Sequence, residues 1–281
     1  MVPLVSVLMT AYNREKYISE AIQSVLNSTL RDFELIIVDD ASQDKTLQIA
    51  LEYQEKDKRI KVFVNEKNFG DYPNRNKAAS YAIGKYLKYV DADDLIYPWG
   101  LEILVNCMER FPEAGWGLCS LPPNSNRPFP FMLGPSESYL YEYKGPGLFY
   151  KAPLSSIIKR NIFEKENGFR LVRHYGDSEM WHRLAKRYPI VLIGQGIVWW
   201  RNHADQEAVK RKRNPLIGIK TINSALYNLS DISCPLNDKD RKDAIRHLKF
   251  IQKKQIIKQI FKGELMTAYK MFRIAKNRSE V

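Results

Sequence analysis

The chain has 281 residues, of which 44% are hydrophobic and 27% are charged, a composition typical of a globular protein with one large domain or two smaller ones. No apolar run is long enough to span a bilayer, and the first residues do not have the pattern of a signal peptide. The three cysteines are odd in number and far apart, which argues against a disulfide framework and a zinc site. We therefore expect a cytoplasmic protein.

The net charge of +12 is concentrated near the C-terminus. Residues 205–281 carry 18 Lys and Arg against 8 Asp and Glu, a net charge of +10. Such a segment can meet nucleic acid, an anionic membrane surface or an anionic substrate, or it can present a solvated helical face. The charge alone does not discriminate between these alternatives.

Strands and helices are predicted to alternate over roughly the first hundred residues. Apolar runs rich in β-forming residues predict buried strands at residues 4–9, 34–39, 60–64 and 85–90. Apolar residues spaced three and four apart predict helices at residues 14–27, 42–56 and 72–83. Gly84 is expected to end the third helix. The alternation is typical of an α/β fold, with a mostly parallel central sheet and helices on both of its faces.

A polar segment follows each of these four strands, at residues 10–13, 39–42, 65–70 and 91–94. Because ligands of such sheets bind outside the carboxyl ends of the strands, we expect the four segments to form one site. The last is Asp91-Ala92-Asp93-Asp94, whose crowded carboxylates repel one another unless a cation neutralises them. The alternative is an acidic turn that is merely solvated or that caps the next helix.

Two common nucleotide-binding devices are missing from the sequence. The first loop, residues 10–13, has no glycine and so lacks the dinucleotide-binding fingerprint. No Gly-Lys-Ser/Thr phosphate loop occurs anywhere in the chain. A phosphate ligand would need another device, and a carboxylate-bound divalent metal is a common one.

Beyond residue 115 the pattern becomes irregular. Residues 121–130 are rich in turn-forming residues and predict a loop over the site, with aromatic residues in and after it. Strands are predicted at residues 155–158, 190–193 and 197–200, and a helix at residues 177–187. After His203 the chain is predicted to be mostly helical. The apolar residues of 244–261 spread over more than half of the helix circumference, so this helix is not predicted to lie on a membrane surface.

One similarity rests on four segments in a fixed order: residues 5–13, residues 33–44, Asn68-Phe69-Gly70 with Arg75-Asn76, and Asp91-Ala92-Asp93-Asp94. In this order they resemble the family 2 glycosyltransferases. The resemblance covers roughly the first hundred residues and implies a GT-A fold, the nucleotide-sugar-binding α/β sandwich of that family. We expect a GT-A domain over residues 1–204, with a donor half (1–110) and an acceptor half (111–204), and a basic helical extension over residues 205–281.

The resemblance implies a set of residues that contact the nucleotide sugar. The set is Thr10, Tyr12, Asn13, Asp39, Asp40, Arg75, Asp91 and Ala92. Asp39 would bind the base or ribose, since a carboxylate accepts hydrogen bonds from hydroxyl and N–H groups, and Asp40 would support it. The alternatives are helix capping for Asp39, core packing for Tyr12 and a solvated helix face for Arg75. Ala41 stands where glycine is common, so we expect the turn there to avoid a positive φ angle.

The resemblance also implies a divalent cation, Mn²⁺ or Mg²⁺. Asp91 and Asp93 match the ends of the family's Asp-X-Asp motif, with Asp93 as the direct ligand and Asp91 in contact with ribose or metal-bound water. Asp94 is expected to support the turn. His203 follows the last strand, where some relatives place a metal or diphosphate contact, and a structural histidine is the alternative. The metal would bridge the diphosphate and neutralise the leaving group.

An inverting transfer needs a base that takes the proton of the acceptor hydroxyl. The family supplies it from a Glu-Asp pair ahead of a helix that bears Trp-X-Arg. The similar segment here begins Gly176-Asp177 and continues to Trp181-His182-Arg183, so Asp177 matches the base and Gly176 replaces the glutamate. A helix N-cap is the alternative role for Asp177. Glu179 is the second candidate for the base.

The sequence therefore predicts a metal-dependent, inverting glycosyltransferase of cell-surface polysaccharide or glycolipid synthesis. Its donor would be a nucleotide-diphosphate sugar, most simply a UDP-sugar, and its acceptor a carbohydrate or a lipid-linked compound. The basic C-terminal residues would place the protein against the inner face of an anionic membrane, and no nucleic acid is expected. A silent nucleotide-sugar-binding protein is the alternative; a nucleotidyltransferase is disfavoured, because the glycine-rich basic loop that it needs is absent.

Overall fold

The computed structural model describes residues 2–124, 126–172, 175–203 and 214–276. The chain forms two compact units. Unit 1 comprises Met1–Gly134, Lys151–Leu171 and Tyr188–Arg201, and unit 2 comprises Pro135–Tyr150, Val172–Arg187 and Asn202–Val281. The predicted boundary between residues 204 and 205 lies outside the described residues, so the predicted domain ranges stay a prediction.

All the described strands belong to unit 1. They are β1 Val5–Ala11, β2 Phe33–Asp39, β3 Ile60–Val64, β4 Tyr86–Tyr89, β5 Leu95–Ile96, β6 Trp116–Leu118, β7 Phe131–Leu133, β8 Ser156–Lys159, β9 Ile190–Leu192 and β10 Val198–Trp199. The main sheet has the order β3-β2-β1-β4-β8-β6-β9-β7, and β5 pairs with β10 in a small antiparallel sheet. The neighbours among β1 to β4 are parallel, as is the pair β6–β9, whereas β8 and β7 run antiparallel to their neighbours.

The helices, in chain order, are α1 Ile18–Leu26, α2 Thr46–Lys56, α3 Asp71–Ser80, α4 Gly100–Arg110, α5 Pro135–Lys144, α6 Arg160–Lys165, α7 Gly176–Arg187, α8 Pro215–Ser230, α9 Asp238–Phe261 and α10 Leu265–Lys276. Helices α5 and α7 to α10 belong to unit 2. The four predicted strands of the first hundred residues are confirmed, and the three predicted helices are present: α1 and α2 begin four residues later than predicted, and α3 begins one residue earlier and ends three residues earlier.

The core of unit 1 follows from the apolar pattern. Every residue of β2 is buried, as a strand that is covered on both faces requires. Helix α1 buries Ile18, Ala21, Ile22 and Val25, which are spaced three and four apart and so share one face. Burying a side chain of this size contributes about 1.5–3 kcal/mol of hydrophobic stabilisation. The core thus fixes the strands whose carboxyl ends carry the polar segments.

The structure corrects two predictions. Gly84 does not end α3, which stops at Ser80; a Cβ atom at Gly84 would lie 2.6 Å from the backbone nitrogen of Ser6, so close strand packing explains the glycine. The irregular region also contains elements that the sequence pattern did not reveal, namely β6 and β7 in unit 1 and α5 in unit 2. The last of these carries Tyr139, Tyr141 and Tyr143, which were expected to lie in or near a loop.

Unit 2 is helical, with α8 packed on α9 and α10, and α5 packed on α7. A chain of buried amides joins the three C-terminal helices: the Gln252 side chain donates to Asn223 Oδ1 at 2.6 Å, and Asn223 donates to the Ile274 carbonyl at 2.6 Å. Because unpaired buried amides are costly, these bonds fix the packing of the helices. None of the helices within the described residues has the length and apolarity needed to cross a bilayer.

Candidate active site

The polar segments of unit 1 meet where the strand order of the sheet reverses. Strands β1, β2 and β3 run outward in sequence order, and β4 lies on the opposite side of β1. In an open α/β sheet this reversal leaves a crevice outside the carboxyl ends of the strands, where ligands bind. Asp39 ends β2, Asp91 follows β4 by two residues, and Tyr12 directly follows β1. The predicted donor residues therefore gather at the switch point.

Hydrogen bonds tie the first polar loop to the second. The Asn13 backbone N–H donates to Ser42 Oγ at 2.9 Å, and the Gln43 N–H donates to Asn13 Oδ1 at 2.8 Å. Asn13 and Ala41 have positive φ angles of 53° and 60°. The expectation that Ala41 avoids positive φ is wrong: the bonds between the loops hold the turn in the left-handed region although no glycine is present.

Asp40 holds the third loop in place. Its Oδ1 accepts from the Asn65 side chain at 2.7 Å and from the Phe69 N–H at 3.0 Å, and its Oδ2 accepts from the Gly70 N–H at 2.9 Å. Gly70 has a φ of +89° and precedes α3, so it makes the turn that a residue with a side chain adopts only with strain. Asp40 is buried and occupied by these bonds, which supports a positioning role.

Arg75 is buried rather than solvated, which excludes the alternative of a solvated helix face. Its Nη1 lies 2.7 Å from Asp91 Oδ1, and its Nε donates to Asp71 Oδ1 at 2.6 Å. The guanidinium also lies over the Tyr89 ring, 5.5 Å from the centroid. Burial disfavours the charge, but Asp71 and Asp91 hold the pKa of Arg75 well above its usual value. Arg75 therefore stays cationic beside the acidic segment.

Two arginines that the sequence analysis did not select also hold this segment. Arg14 Nε donates to Asp93 Oδ2 at 2.9 Å. The Arg201 backbone N–H donates to Asp94 Oδ1 at 2.9 Å, and its Nε donates to the Asp93 carbonyl at 3.0 Å. Arg14 directly follows Asn13, and Arg201 stands two residues before His203, but an isolated arginine has no spacing signal that would single it out.

The third acid of the segment, Asp94, has a raised pKa. Burial first, and then the charges of Asp91 and Asp93, raise the pKa of Asp94 to about 8. Asp94 is 3% exposed and accepts the backbone bond from Arg201, which agrees with its expected role in supporting the turn. This carboxyl keeps its proton near neutral pH because burial disfavours its charged form and two carboxylates lie beside it.

Asp39 has an unused acceptor. Its Oδ2 accepts from the Ser42 N–H at 2.8 Å, whereas its buried Oδ1 has no hydrogen-bond partner within the described residues. Helix α2 begins only at Thr46, so Asp39 does not cap it. Tyr12 has 41% of its surface exposed, which excludes the core alternative. Thr10 lies within β1 opposite Val38, and Ala92 is buried.

The residues present fit a divalent cation whose coordination is completed by the phosphates of the substrate. Among the described residues, no three acidic, histidine or cysteine side chains are placed to hold a metal by themselves. Mg²⁺ is commonly held by one or two carboxylates plus substrate phosphates and water. Asp91 and Asp93 supply two carboxylates, which stand two residues apart in the same segment. Both carboxylates currently pair with arginines.

Asp177 and His203 belong to unit 2. Asp177 is the second residue of α7 and not its N-cap, so that alternative is wrong, and its Oδ1 accepts from the Ser178 N–H at 2.8 Å. Glu179 makes a bidentate pair with Arg183, with both N–O distances at 3.0 Å. This pairing reduces the capacity of Glu179 to act as a base. His203 is partly buried.

Asp177 lines a cavity of about 440 Å³ within unit 2. Aromatic side chains form much of its wall, namely Tyr143, Phe149, Tyr150 and Tyr175. His182 also lines it; the imidazole Nε2 lies 2.7 Å from the Tyr143 hydroxyl, and Nδ1 lies 2.7 Å from the Ser178 carbonyl. Burial lowers the pKa of His182 and so favours the neutral ring. A carboxylate beside aromatic rings suits a polyhydroxylated ligand, which offers both hydroxyls and apolar ring faces.

Comparisons with known proteins place these observations in a family. The family model described as Glycosyl transferase family 2 matches residues 6–166. The chain is 49% identical over 110 residues to an uncharacterized glycosyltransferase of Methanocaldococcus jannaschii, a match that covers 38% of each chain. It is 38% identical over 125 residues to the chondroitin synthase of Escherichia coli, covering 44% of this chain and 18% of that one. The matched segments thus span well under two thirds of these relatives.

Solved structures show the same fold. S. aureus TarS 1–349 in complex with UDP-GlcNAc has a TM-score of 0.68 at 20% identity, covering 88% of this chain and 71% of that one. The mannosyltransferase PcManGT from Pyrobaculum calidifontis, in complex with GDP-Man and Mn²⁺, has a TM-score of 0.70 at 19% identity, covering 100% of this chain and 77% of that one. The predicted GT-A fold with a mostly parallel sheet is confirmed.

Proposed function

Because the chain belongs to glycosyl transferase family 2, we propose that it moves a sugar from a UDP-sugar to a hydroxyl of a carbohydrate or lipid-linked acceptor, with inversion at the anomeric carbon. The observation that carries the proposal is the gathering of Asp39, Asp91 and Asp93 at the switch point of the sheet of unit 1. TarS and PcManGT, which share the fold, were solved with nucleotide sugars, and chondroitin synthase is named for polysaccharide synthesis.

Each donor-site residue has a role that its surroundings support. Asp39 would accept a hydrogen bond from the base or ribose with its unused Oδ1. Tyr12, with its exposed ring, would pack against the base. Thr10, Asn13 and Ala92 would shape the backbone around the nucleotide.

The acidic segment would hold the diphosphate through Mn²⁺ or Mg²⁺, with Asp93 as the direct ligand and Asp91 beside it. When bound, the cation would neutralise the charge that develops on the diphosphate as it leaves. Arg14 and Arg75 pair with these carboxylates in the structure, so they keep the segment in place before the donor arrives. A contact of His203 with the metal or diphosphate remains a proposal.

The transfer itself is a displacement at the anomeric carbon. The acceptor oxygen bonds to this carbon, the bond from the carbon to the diphosphate oxygen breaks, and the electron pair leaves with the diphosphate. Asp177 would take the proton of the acceptor hydroxyl. Its position in an aromatic cavity supports this role, because the cavity offers rings on which an acceptor sugar can pack.

Nucleotide binding tests the assignment of the donor residues, and turnover tests the assignment of Asp177. We expect UDP to raise the unfolding temperature in the presence of Mn²⁺ and not without it, as a donor held through a metal requires. Asp39→Asn should weaken UDP binding about tenfold or more, measured by calorimetric titration, since an amide oxygen is a weaker acceptor than a carboxylate. Asp32→Asn is the matched control, because Asp32 is exposed and precedes β2, at the opposite end of that strand from Asp39. Equal affinities for all three proteins would contradict the donor site.

Asp177→Asn should leave UDP binding unchanged and reduce UDP release from UDP-sugars with Mn²⁺ about 10²–10⁴-fold, the usual contribution of a general base. Glu179→Gln is the comparison. Full activity of Asp177→Asn together with loss of activity in a folded Glu179→Gln protein would move the base to Glu179. Tight UDP binding with no turnover for any acceptor tested would indicate the silent binding protein.

Location is part of the proposal. The charge of residues 205–281 supports a cytoplasmic protein that lies peripherally on the inner face of an anionic membrane.

A further inference from the structure

Helix α9 has one buried face that packs inside unit 2 and a second, apolar face that is exposed. Ala244 and Gln252 are buried, on the side where α9 packs on α8 and α10. Phe250, Ile257 and Phe261 are separated by seven and four residues, so they form one stripe along the helix. They are 63%, 50% and 88% exposed. The wide spread of apolar residues around this helix therefore comes from a core face and a second, uncovered face.

Lysines border the exposed stripe on both sides. Lys253, Lys254 and Lys258 are exposed and lie within one turn of Phe250, Ile257 or Phe261. Between residues 249 and 262 the chain has five lysines and no acidic residue. The uncovered face is therefore both apolar and strongly cationic.

Exposed apolar side chains also occur in α10, the helix that follows. Residues 262–264 form a tight turn in which Gly263 has a φ of +77° and donates to the Ile260 carbonyl at 2.9 Å. In α10, Ala268 and Met271 are buried, whereas Leu265, Met266 and Tyr269 are exposed. Lys270 and Arg273 are exposed on the same helix. We call six of the exposed apolar side chains of the two helices the hairpin surface: Phe250, Ile257, Phe261, Leu265, Met266 and Tyr269.

We propose that the hairpin surface docks on an anionic lipid bilayer. Its apolar side chains would enter the boundary between headgroups and acyl chains, and the bordering lysines would contact anionic headgroups. This pairing of exposed aromatic and aliphatic residues with lysines is what an interfacial helix needs. The proposal names the membrane-binding surface of unit 2 and does not depend on glycosyl transfer.

Charge and polarity favour a bilayer over other occupants. A second copy of the same surface would bring lysines against lysines, with no acidic residue between 249 and 262 to pair with them. A nucleic acid backbone would satisfy the lysines but would leave Ile257 and Phe261 against water or phosphate. A bilayer offers an anionic layer directly above an apolar one, which matches both components.

Vesicle sedimentation of the full chain tests the proposal. We expect binding to vesicles of about 70% phosphatidylcholine and about 30% phosphatidylglycerol at about 0.1 M salt, where surface charges still act over about 10 Å. Binding to pure phosphatidylcholine should be at least about tenfold weaker, because each lysine near an anionic surface contributes about fivefold. Absent or equal binding to both vesicles would overturn the proposal.

Variants separate the hairpin surface from general stickiness. Ile257→Ser with Phe261→Ser should weaken vesicle binding at least about tenfold, since both apolar side chains would leave the bilayer. Ile232→Ser is the matched control: Ile232 is 98% exposed in the same unit but lies outside α9 and α10. Equal losses in both proteins, or no loss in the double variant, would overturn the assignment.

The charges are tested by changing Lys253, Lys254 and Lys258 together to Gln, with Lys45, Lys56 and Lys58 of unit 1 changed together as the control of equal charge. Only the first set should weaken binding to anionic vesicles. Unfolding temperature and UDP binding should stay unchanged in every variant, because none of these residues is buried or belongs to the donor site. A concentration-dependent dimer in ultracentrifugation, with no vesicle binding, would assign the surface to a second copy and overturn the proposal.

Discussion

Replacing Arg75 by methionine tests whether a buried cation keeps the acidic segment of unit 1 in place. Arg75 is 6% exposed, and its Nη1 lies 2.7 Å from Asp91 Oδ1. Methionine retains an apolar stem but leaves Asp91 without its cation. Removing one partner of a buried ion pair costs about 3–5 kcal/mol. The Asp91 side chain keeps 20% exposure, so we expect the lower end, about 3 kcal/mol.

The assay is thermal unfolding by calorimetry. At about 2–4 °C per kcal/mol for a domain of this size, Arg75→Met should lower the unfolding temperature by about 6–12 °C. Asp71→Asn is the matched control, since the Asp71 side chain is 44% exposed and its bond to Arg75 should contribute about 1 kcal/mol or less. The double variant Arg75→Met with Asp91→Asn should recover much of the loss, because the unpaired charge is gone. A fall of less than about 2 °C, or no recovery in the double variant, would refute the reasoning.

Three further predictions address other parts of the molecule. Tyr12→Ala should change the free energy of unfolding by less than about 1 kcal/mol, because 41% of the residue is exposed and it lies outside the core, yet weaken UDP binding in titrations. Unchanged affinity would remove Tyr12 from the base site. Gly84→Ala should destabilise unit 1 more than Gly70→Ala in denaturant unfolding, because a Cβ atom added at Gly84 would lie 2.6 Å from a backbone atom. A Cβ atom added at Gly70 has no neighbour within 4 Å, so that variant should lose only the about 1–2 kcal/mol that a positive φ costs a residue with a side chain. His182→Gln should reduce the loss of stability on acidification. Burial lowers the pKa of His182 in the folded protein below the 6.5 of the unfolded chain. The unfolded chain therefore binds more protons, and the stability falls as the pH drops below 6.5. Glu142, Glu179 and Lys186 also act on that ring, and identical melting curves from pH 7 to 5 for both proteins would contradict the assignment.

The sequence predicts the fold of the donor half well because the apolar patterns of its strands and of its helices are both clear and alternate regularly. Buried strands and amphipathic helices alternate in the first hundred residues, and right-handed parallel crossovers leave few arrangements for them. The parallel pairing in turn places every loop that follows a strand at one edge of the sheet. Hence Asp39, Asp40 and the acidic segment could be placed at one site without any structural information.

The partners of these acids could not be predicted in the same way. Arg14 reaches Asp93 across 79 positions of sequence, and Arg201 reaches Asp94 across 107. Contacts of this kind depend on the conformation of loops, and the sequence of a loop has no repeating pattern from which its conformation can be predicted. The short strands β6 and β7 were missed for a related reason, since three residues are too few to show alternation. The sequence thus reveals which residues end strands, while the structure reveals which cations hold them.

The pattern of α9 shows that a helix can lack a single apolar face in its sequence and still expose one apolar stripe after packing. Apolar residues on more than half of a helix normally indicate that the helix is enclosed by protein, and an interfacial helix is recognised by one apolar face. In α9 the residues of the buried face and of the exposed apolar face together cover more than half of the circumference. The sequence pattern therefore fits neither an enclosed helix nor an interfacial helix. Only the packing of α8 and α10 assigns Ala244 and Gln252 to the core and leaves Phe250, Ile257 and Phe261 uncovered. A basic helix with one buried apolar face should therefore be judged for membrane binding by the residues that remain exposed after packing.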